Sequence, residues 1–337
     1  MKLRALVKHP IYEEALGMQE ALILKDSPGS LFRLVGPAGV GKSEVGISIA
    51  RSLAGPLEAW TPQTLPVAIV RSRKVEQGRF SPKWFAGAVY TAVNSPDVRW
   101  AESKEAGFAD LLNESMESRR SGIASLRKRG KDPVEHELRD AAQEHLASRQ
   151  TKLLIIEDAH TMTAASRLDD PADYINPWVA LAEEVGTKVL FVGTGAMLRL
   201  WDAENEFNRR SPIVFMDRYD VEDPIHRRQF AGLVYKAAER YRWKSASLLR
   251  KEMESLYFFT LGCVAHLIKL LDVAEAHAKT MGRDAIEACD LRSAAPTRDQ
   301  LQHQWDAIRR FEKDSQRATL EEAKKMVLGA DCRGRSQ

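Results

Sequence analysis

The stretch Gly36-Pro37-Ala38-Gly39-Val40-Gly41-Lys42-Ser43 decides how this 337-residue chain is read. It fits G-x-x-x-x-G-K-[ST] at every fixed position, and its flanks supply the context the pattern requires. Residues 30–35 (SLFRLV) are short and apolar enough for a buried strand. The segment EVGISIARSLAG that follows has helical character up to Gly55-Pro56. Glycines let the backbone turn so that successive N–H groups converge on an anion, and the helix adds its positive N-terminus. In such a loop Lys42 bridges the β- and γ-phosphates of a nucleoside triphosphate, and the Ser43 hydroxyl ligates Mg²⁺. The expectation is a site for ATP with Mg²⁺ built from Gly36, Pro37, Ala38, Gly39, Val40, Gly41, Lys42 and Ser43.

Outward from the loop, strand-length apolar runs recur at 66–71 (PVAIVR), 152–157 (KLLIIE), 187–192 (TKVLFV) and 212–216 (PIVFM). Helical segments lie between them. Ile11, Ala15, Met18 and Leu22 share one helical face ahead of the first strand. Ser81-Pro82 opens a helix through Trp84, Phe85 and Val89, and Asp170-Pro171 opens one carrying Trp178, Val179 and Leu181. Residues 101–150 are charged and read as a helical insertion. They hold the densest basic cluster: Arg119, Arg120, Arg127, Lys128, Arg129 and Lys131.

Beyond Asp223-Pro224 the strand pattern stops. Phe230, Leu233, Val234, Ala237 and Tyr241 mark one helix, and Val264, Leu267, Ile268 and Leu271 another. Thr297-Arg298-Asp299-Gln300 is a capping-box pattern for a helix to about Lys313. The expected fold is α/β with a parallel sheet, followed by a helical unit. The expected division is a helical extension at 1–29, a nucleotide-binding domain at 30–221, helices at 222–327 and a flexible tail at 328–337.

A triphosphate site needs an acidic partner at the end of another buried strand. Leu153-Leu154-Ile155-Ile156-Glu157-Asp158 meets that condition and resembles a Walker B strand. Such strands usually end in Asp then Glu, the first on the metal side and the second beside the attacking water. Here the order is inverted, so Glu157 takes the metal side with Ser43 and Asp158 takes the place of the base. Asp158 is one methylene shorter than Glu, which predicts slow hydrolysis or a site completed by a neighbour. His160, two residues on, is read as structural.

Composition bounds the rest. The formal net charge is only +3, which permits a polyanionic partner without demanding one. Cys263, Cys289 and Cys332 form no CxxC or Cys/His ligand spacing, so reduced thiols are expected rather than disulfides or zinc. The basic N-terminus lacks the apolar run of a signal peptide, and about 18 consecutive apolar residues occur nowhere. A soluble, cytoplasmic protein with no membrane partner is expected.

Taken with the stretches FRLVGPAGVGKS, LLIIEDAH, KVLFVGTGAM and TLGCVAHLIKLL, over roughly residues 9–275, the chain resembles an AAA+ ATPase. Its nearest likeness is to the TniB/TnsC transposition regulators, which have a MuB-like role. The resemblance implies a helical lid and a homo-oligomer, ring or filament, assembled on double-stranded DNA with ATP. That oligomer would recruit or activate a transposase, with a targeting factor as a further partner. It places Thr194 where such ATPases keep a polar sensor of the γ-phosphate, a simple cap being the alternative. Arg209 and Arg210 fall where a neighbour-directed arginine acts in trans, a solvated basic pair being the alternative. Arg71, Arg73, Lys74, Arg79 and Lys83 follow the second strand, on the side implied to face DNA. The cluster at Arg119, Arg120, Arg127, Lys128 and Arg129 is a second candidate, and a solvated charged face competes with both. Where relatives carry a sensor arginine in the lid this chain has Ala265, with His266 adjacent. Two other readings remain: an ATPase acting on protein partners, and an ATP-gated assembly platform with negligible turnover.

Overall fold

The computed structural model describes residues 7–61, 63–75, 78–101, 133–164, 171–201 and 210–331. Its centre is a five-stranded parallel sheet of β1 (Leu31–Val35), β2 (Val67–Arg71), β3 (Leu153–Glu157), β4 (Lys188–Gly193) and β5 (Ile213–Phe215). The strand order is β2-β3-β4-β1-β5, which puts the strand entering the glycine-rich loop between two that come much later in the chain.

Period-two alternation sorts the side chains onto two cores. Phe32, Leu34, Leu153, Ile155, Leu190 and Val192 face one layer. This layer contains α1 (Pro10–Lys25), α2 (Lys42–Ala54) and most of the C-terminal helices. Leu31, Val35, Leu154, Ile156, Val189 and Phe191 face the other, against α3 (Pro82–Asn94), α4 (Glu135–Ser148) and α5 (Asn176–Val185). Strands buried on both faces read as unbroken apolar runs, which is why the sequence located them. Arg33 is the exception on β1. It is buried, and its guanidinium lies 5.0 Å from the Trp201 ring and donates to Ser211 O. Burial lowers its pKa to about 10, which leaves it charged at neutral pH.

Three expectations shift. On α1 the buried positions are Ile11, Tyr12, Ala15, Gln19 and Ile23, whereas Met18 is exposed, because the helix rolls Tyr12 inward to donate to Ser48 Oγ at 2.6 Å. Pro171 opens only a short 3₁₀ turn (Pro171–Tyr174), and α5 starts at Asn176 with Pro177 in its first turn. The last helix runs through Asp331, past the expected start of the tail at Leu328, and residues 332–337 lie outside the described residues. Gln19 is fully buried with neither amide atom hydrogen-bonded. An unsatisfied buried amide is costly, so Gln19→Met is expected to raise stability by about 1 kcal/mol in urea unfolding.

After β5 come α6 (Pro224–Ala238), α7 (Ala246–Lys251), α8 (Met253–Thr260), α9 (Val264–Thr280), α10 (Ala288–Ala294), α11 (Arg298–Asp314) and α12 (Leu320–Asp331). Asp223 caps α6, and Thr297 with Gln300 forms the expected capping box on α11. The α9–α10 corner is tied by Asp290, whose buried carboxylate accepts from both Nη atoms of Arg283, at 2.7 and 2.6 Å, and from Glu287 N at 2.8 Å. His277 Nδ1 lies 2.6 Å from the same group. Helix α11 returns to the sheet, with Phe311 against Gly195 and Phe215, and Glu312 bound to Arg218 at 2.7 Å. No single helix among the described residues is long and apolar enough to cross a membrane.

Candidate nucleotide site

The glycine-rich loop joins β1 directly to α2. Gly39 and Gly41 hold φ of 85° and 111°, values that favour glycine, and Gly41 is the residue before the first turn of α2. Gly36 is required for a second reason: a Cβ there would sit 2.2 Å from Met216 O, beyond the end of β5. Lys42 is buried, and its Nζ donates to Gly36 O at 2.9 Å and Pro37 O at 2.6 Å. Desolvation lowers its pKa to about 8, against the opposing pull of Cys263 and Asp158. The ammonium is therefore largely retained at neutral pH, desolvated and close to the loop's amides, where it interacts strongly with an anion.

Glu157 closes β3 and is buried; Asp158 follows with left-handed backbone, φ 52°. The β2–β3 register sets Arg71 opposite Glu157. Arg71 Nη2 donates to Glu157 Oε2 at 3.0 Å, and its Nε lies 3.3 Å from Asp158 Oδ2. One arginine thus spans both carboxylates of the Walker B-like pair while staying 63% exposed. In the sequence Arg71 belongs with the candidate DNA contacts, and only the β2–β3 register connects it to this pair. Ser72 reinforces the junction, donating from its N–H to Glu157 O at 2.8 Å and sharing a 2.7 Å hydroxyl contact with Thr161.

Thr194 follows β4, the strand between β1 and β3, and so lies between the loop and the acidic pair. It is half-buried and its side chain makes no capping hydrogen bond to the 3₁₀ turn it precedes. His160 is packed beside this region with Nδ1 buried and unpartnered. Its pKa is lowered by burial, opposed by Asp158 and reinforced by Lys42 and Lys74. Ser43 and Glu157 carry hard oxygen donors of the kind Mg²⁺ prefers, so this donor set fits that ion.

The lid side is closed by the start of α9. Ala265 N donates to Gly39 O at 2.8 Å, and the His266 ring lies over the same glycine. Cys263, just before α9, is buried, and burial pushes its thiol up to about 12, so it is inert as a nucleophile.

The remaining candidates are scattered. Arg210 is exposed and pairs with Glu183 of α5 at 3.1 Å; Arg209 lies outside the described residues. The Arg73 guanidinium stacks 4.2 Å from the Trp84 ring. Arg71, Arg73, Lys74, Arg79 and Lys83 do share the connection from β2 to the start of α3. The second cluster, Arg119, Arg120, Arg127, Lys128 and Arg129, lies outside the described residues, as does most of the expected insertion; its part at 135–148 is helix α4.

The order β2-β3-β4-β1-β5, with the loop after β1, the acidic strand beside β4 and helices closing over Gly39, decides the architecture. The fold is the AAA+ fold. Solved AAA+ structures superpose on it at low identity. The ORC1 protein of Aeropyrum pernix, solved in complex with DNA, is 16% identical with a TM-score of 0.58, over 87% of this chain and 67% of that one. The ORC2 protein of the same organism, with ADPNP and ADP, is 14% identical with a TM-score of 0.51, over 84% and 66%. A Walker-type ATPase of Pyrococcus abyssi is 13% identical with a TM-score of 0.52, over 98% and 77%. The chain spans about two thirds of the length of the two ORC structures. No protein-family model matches the sequence, and no curated protein matches it.

Proposed function

We propose that this chain is an ATP-switched AAA+ protein that assembles on duplex DNA and recruits or activates a transposase there, as the TniB/TnsC regulators do. The observation that carries the reading is Arg71. It links the acidic pair of the nucleotide site to a connection bearing Arg73, Lys74, Arg79 and Lys83, the cations suited to a phosphate backbone. A groove of about 860 Å³ lined by Arg71, Ser81, Lys83 and Trp84 runs along the same surface. Support also comes from the architecture of the ORC1 structure, which was solved with DNA. Binding would be sequence-tolerant and salt-sensitive, and ATP with Mg²⁺ would set the oligomer, with Arg209 or Arg210 reaching a neighbouring copy.

The test is duplex binding by filter assay and electron microscopy, with and without a non-hydrolysable ATP analogue. ATP-dependent rings or filaments on DNA are expected. Absence of both binding and assembly at low salt excludes the DNA reading and leaves a protein-directed ATPase.

The Arg71 contact also favours low basal turnover. Both carboxylates needed for metal and water are held by a cation, so the protein works as an assembly switch more than as a fast enzyme. A part-exposed ion pair of this kind is worth about 1 kcal/mol, so Arg71→Ala is expected to raise DNA-independent ATP turnover roughly fivefold. It should also shrink the stimulation by DNA. A fall in basal turnover would instead make Arg71 a supporting member of the site.

A further inference from the structure

The His266 ring packs from the lid onto Gly39 of the glycine-rich loop. Its Cδ2 and Nε2 lie 2.8 Å from where a Cβ on Gly39 would sit, closer than any side chain tolerates, so Gly39 and His266 are fitted to one another. Its other nitrogen, Nδ1, is 3.3 Å from Thr260 O. A carbonyl only accepts, so Nδ1 carries the hydrogen and the neutral ring turns a bare Nε2 lone pair toward the loop. The neighbouring Ala265 N–H is already bound to Gly39 O, which fixes the start of α9 against the loop. Burial lowers the pKa of the ring, Thr260 O opposes this, and Lys269 one turn along α9 adds to it. The loop's own cation, Lys42, is bonded to Gly36 O and Pro37 O.

We infer that His266 Nε2 is the lid's ligand for the phosphate chain of the nucleotide and binds it only as imidazolium, so that ATP is taken up together with a proton. This rests on the nucleotide reading of the loop. A neutral ring meets a phosphate oxygen lone pair to lone pair, whereas the imidazolium donates a charge-assisted hydrogen bond from Nε2. Because the neutral form prevails without an anion, phosphate must bring the proton with it, and affinity falls as pH rises.

The experiment is calorimetric titration of the full chain with ATP and Mg²⁺ at pH 6, 7 and 8, in two buffers of different ionisation enthalpy. Wild type is compared with His266→Gln, which keeps a donor that does not titrate. Lys42 and the nucleotide titrate in both proteins, so the difference between them isolates His266. Wild type is expected to lose about tenfold more affinity than His266→Gln between pH 6 and 8, and to take up a larger fraction of a proton per ATP at pH 7. Equal slopes and equal proton counts overturn the inference while leaving nucleotide binding intact. If wild type binds no ATP at any pH, the nucleotide reading itself falls and the inference with it. Thermal unfolding of both proteins verifies that the variant is folded.

Discussion

Replacing Lys42 with alanine is expected to weaken ATP binding about a hundredfold while leaving the fold intact. The ammonium would make two charge-assisted hydrogen bonds to the phosphates, and losing roughly 3 kcal/mol of such interaction corresponds to that factor. Two further features enlarge the effect. The side chain is buried, so the lost charge is not replaced by water, and Lys42 also holds the loop through Gly36 O and Pro37 O. Calorimetry or a fluorescent ATP analogue measures the loss, with a nucleotide-free thermal melt as control. Unchanged affinity in a folded variant would remove Gly36–Ser43 from the site.

The second large effect lies far from the phosphates. Asp290→Ala is expected to destabilise the protein by about 3 kcal/mol, because it leaves the Arg283 guanidinium without its bidentate partner and Glu287 N–H and His277 unsatisfied. Burial opposes ionisation of Asp290, but these donors outweigh it and hold the carboxyl well below the usual carboxylate range. Its contribution is therefore fully present above the unfolded pKa near 4 and fades as pH falls toward the depressed folded value. Denaturant unfolding at pH 7 and pH 3 measures both halves: the gap between wild type and variant should narrow in acid. A gap unchanged at pH 3 would mean that the corner is held by packing instead.

How much was legible in the sequence depended on whether a signal was local. The loop, the strands and the caps of α3, α6 and α11 each announce themselves within a few residues, through glycine spacing, apolar runs and Ser/Asp/Thr caps. Gly39 shows the limit. Its positive φ is local, but its second requirement, the His266 ring, comes from a helix more than two hundred residues later. Arg71 is similar. Only the register Arg71↔Glu157 reveals that a cation grouped with surface charges bridges the acidic pair. An arginine ending a strand, in a chain with an acidic strand end elsewhere, was the available hint. The burial of Gln19 in place of Met18 reflects the pull of Tyr12 toward Ser48, a long-range contact that helical spacing does not encode.

The position of β1 has a consequence for biogenesis. Its neighbours are β4 and β5, so this strand finds both hydrogen-bonding partners only after residues 188–215 have been made. The long delay between a strand and its partners is the topology that slows folding and leaves apolar segments open to aggregation. Phe32, Leu34 and the loop they lead to wait while more than 150 further residues are added. A nucleotide held by this loop would therefore stabilise the chain only once β4 and β5 are in place.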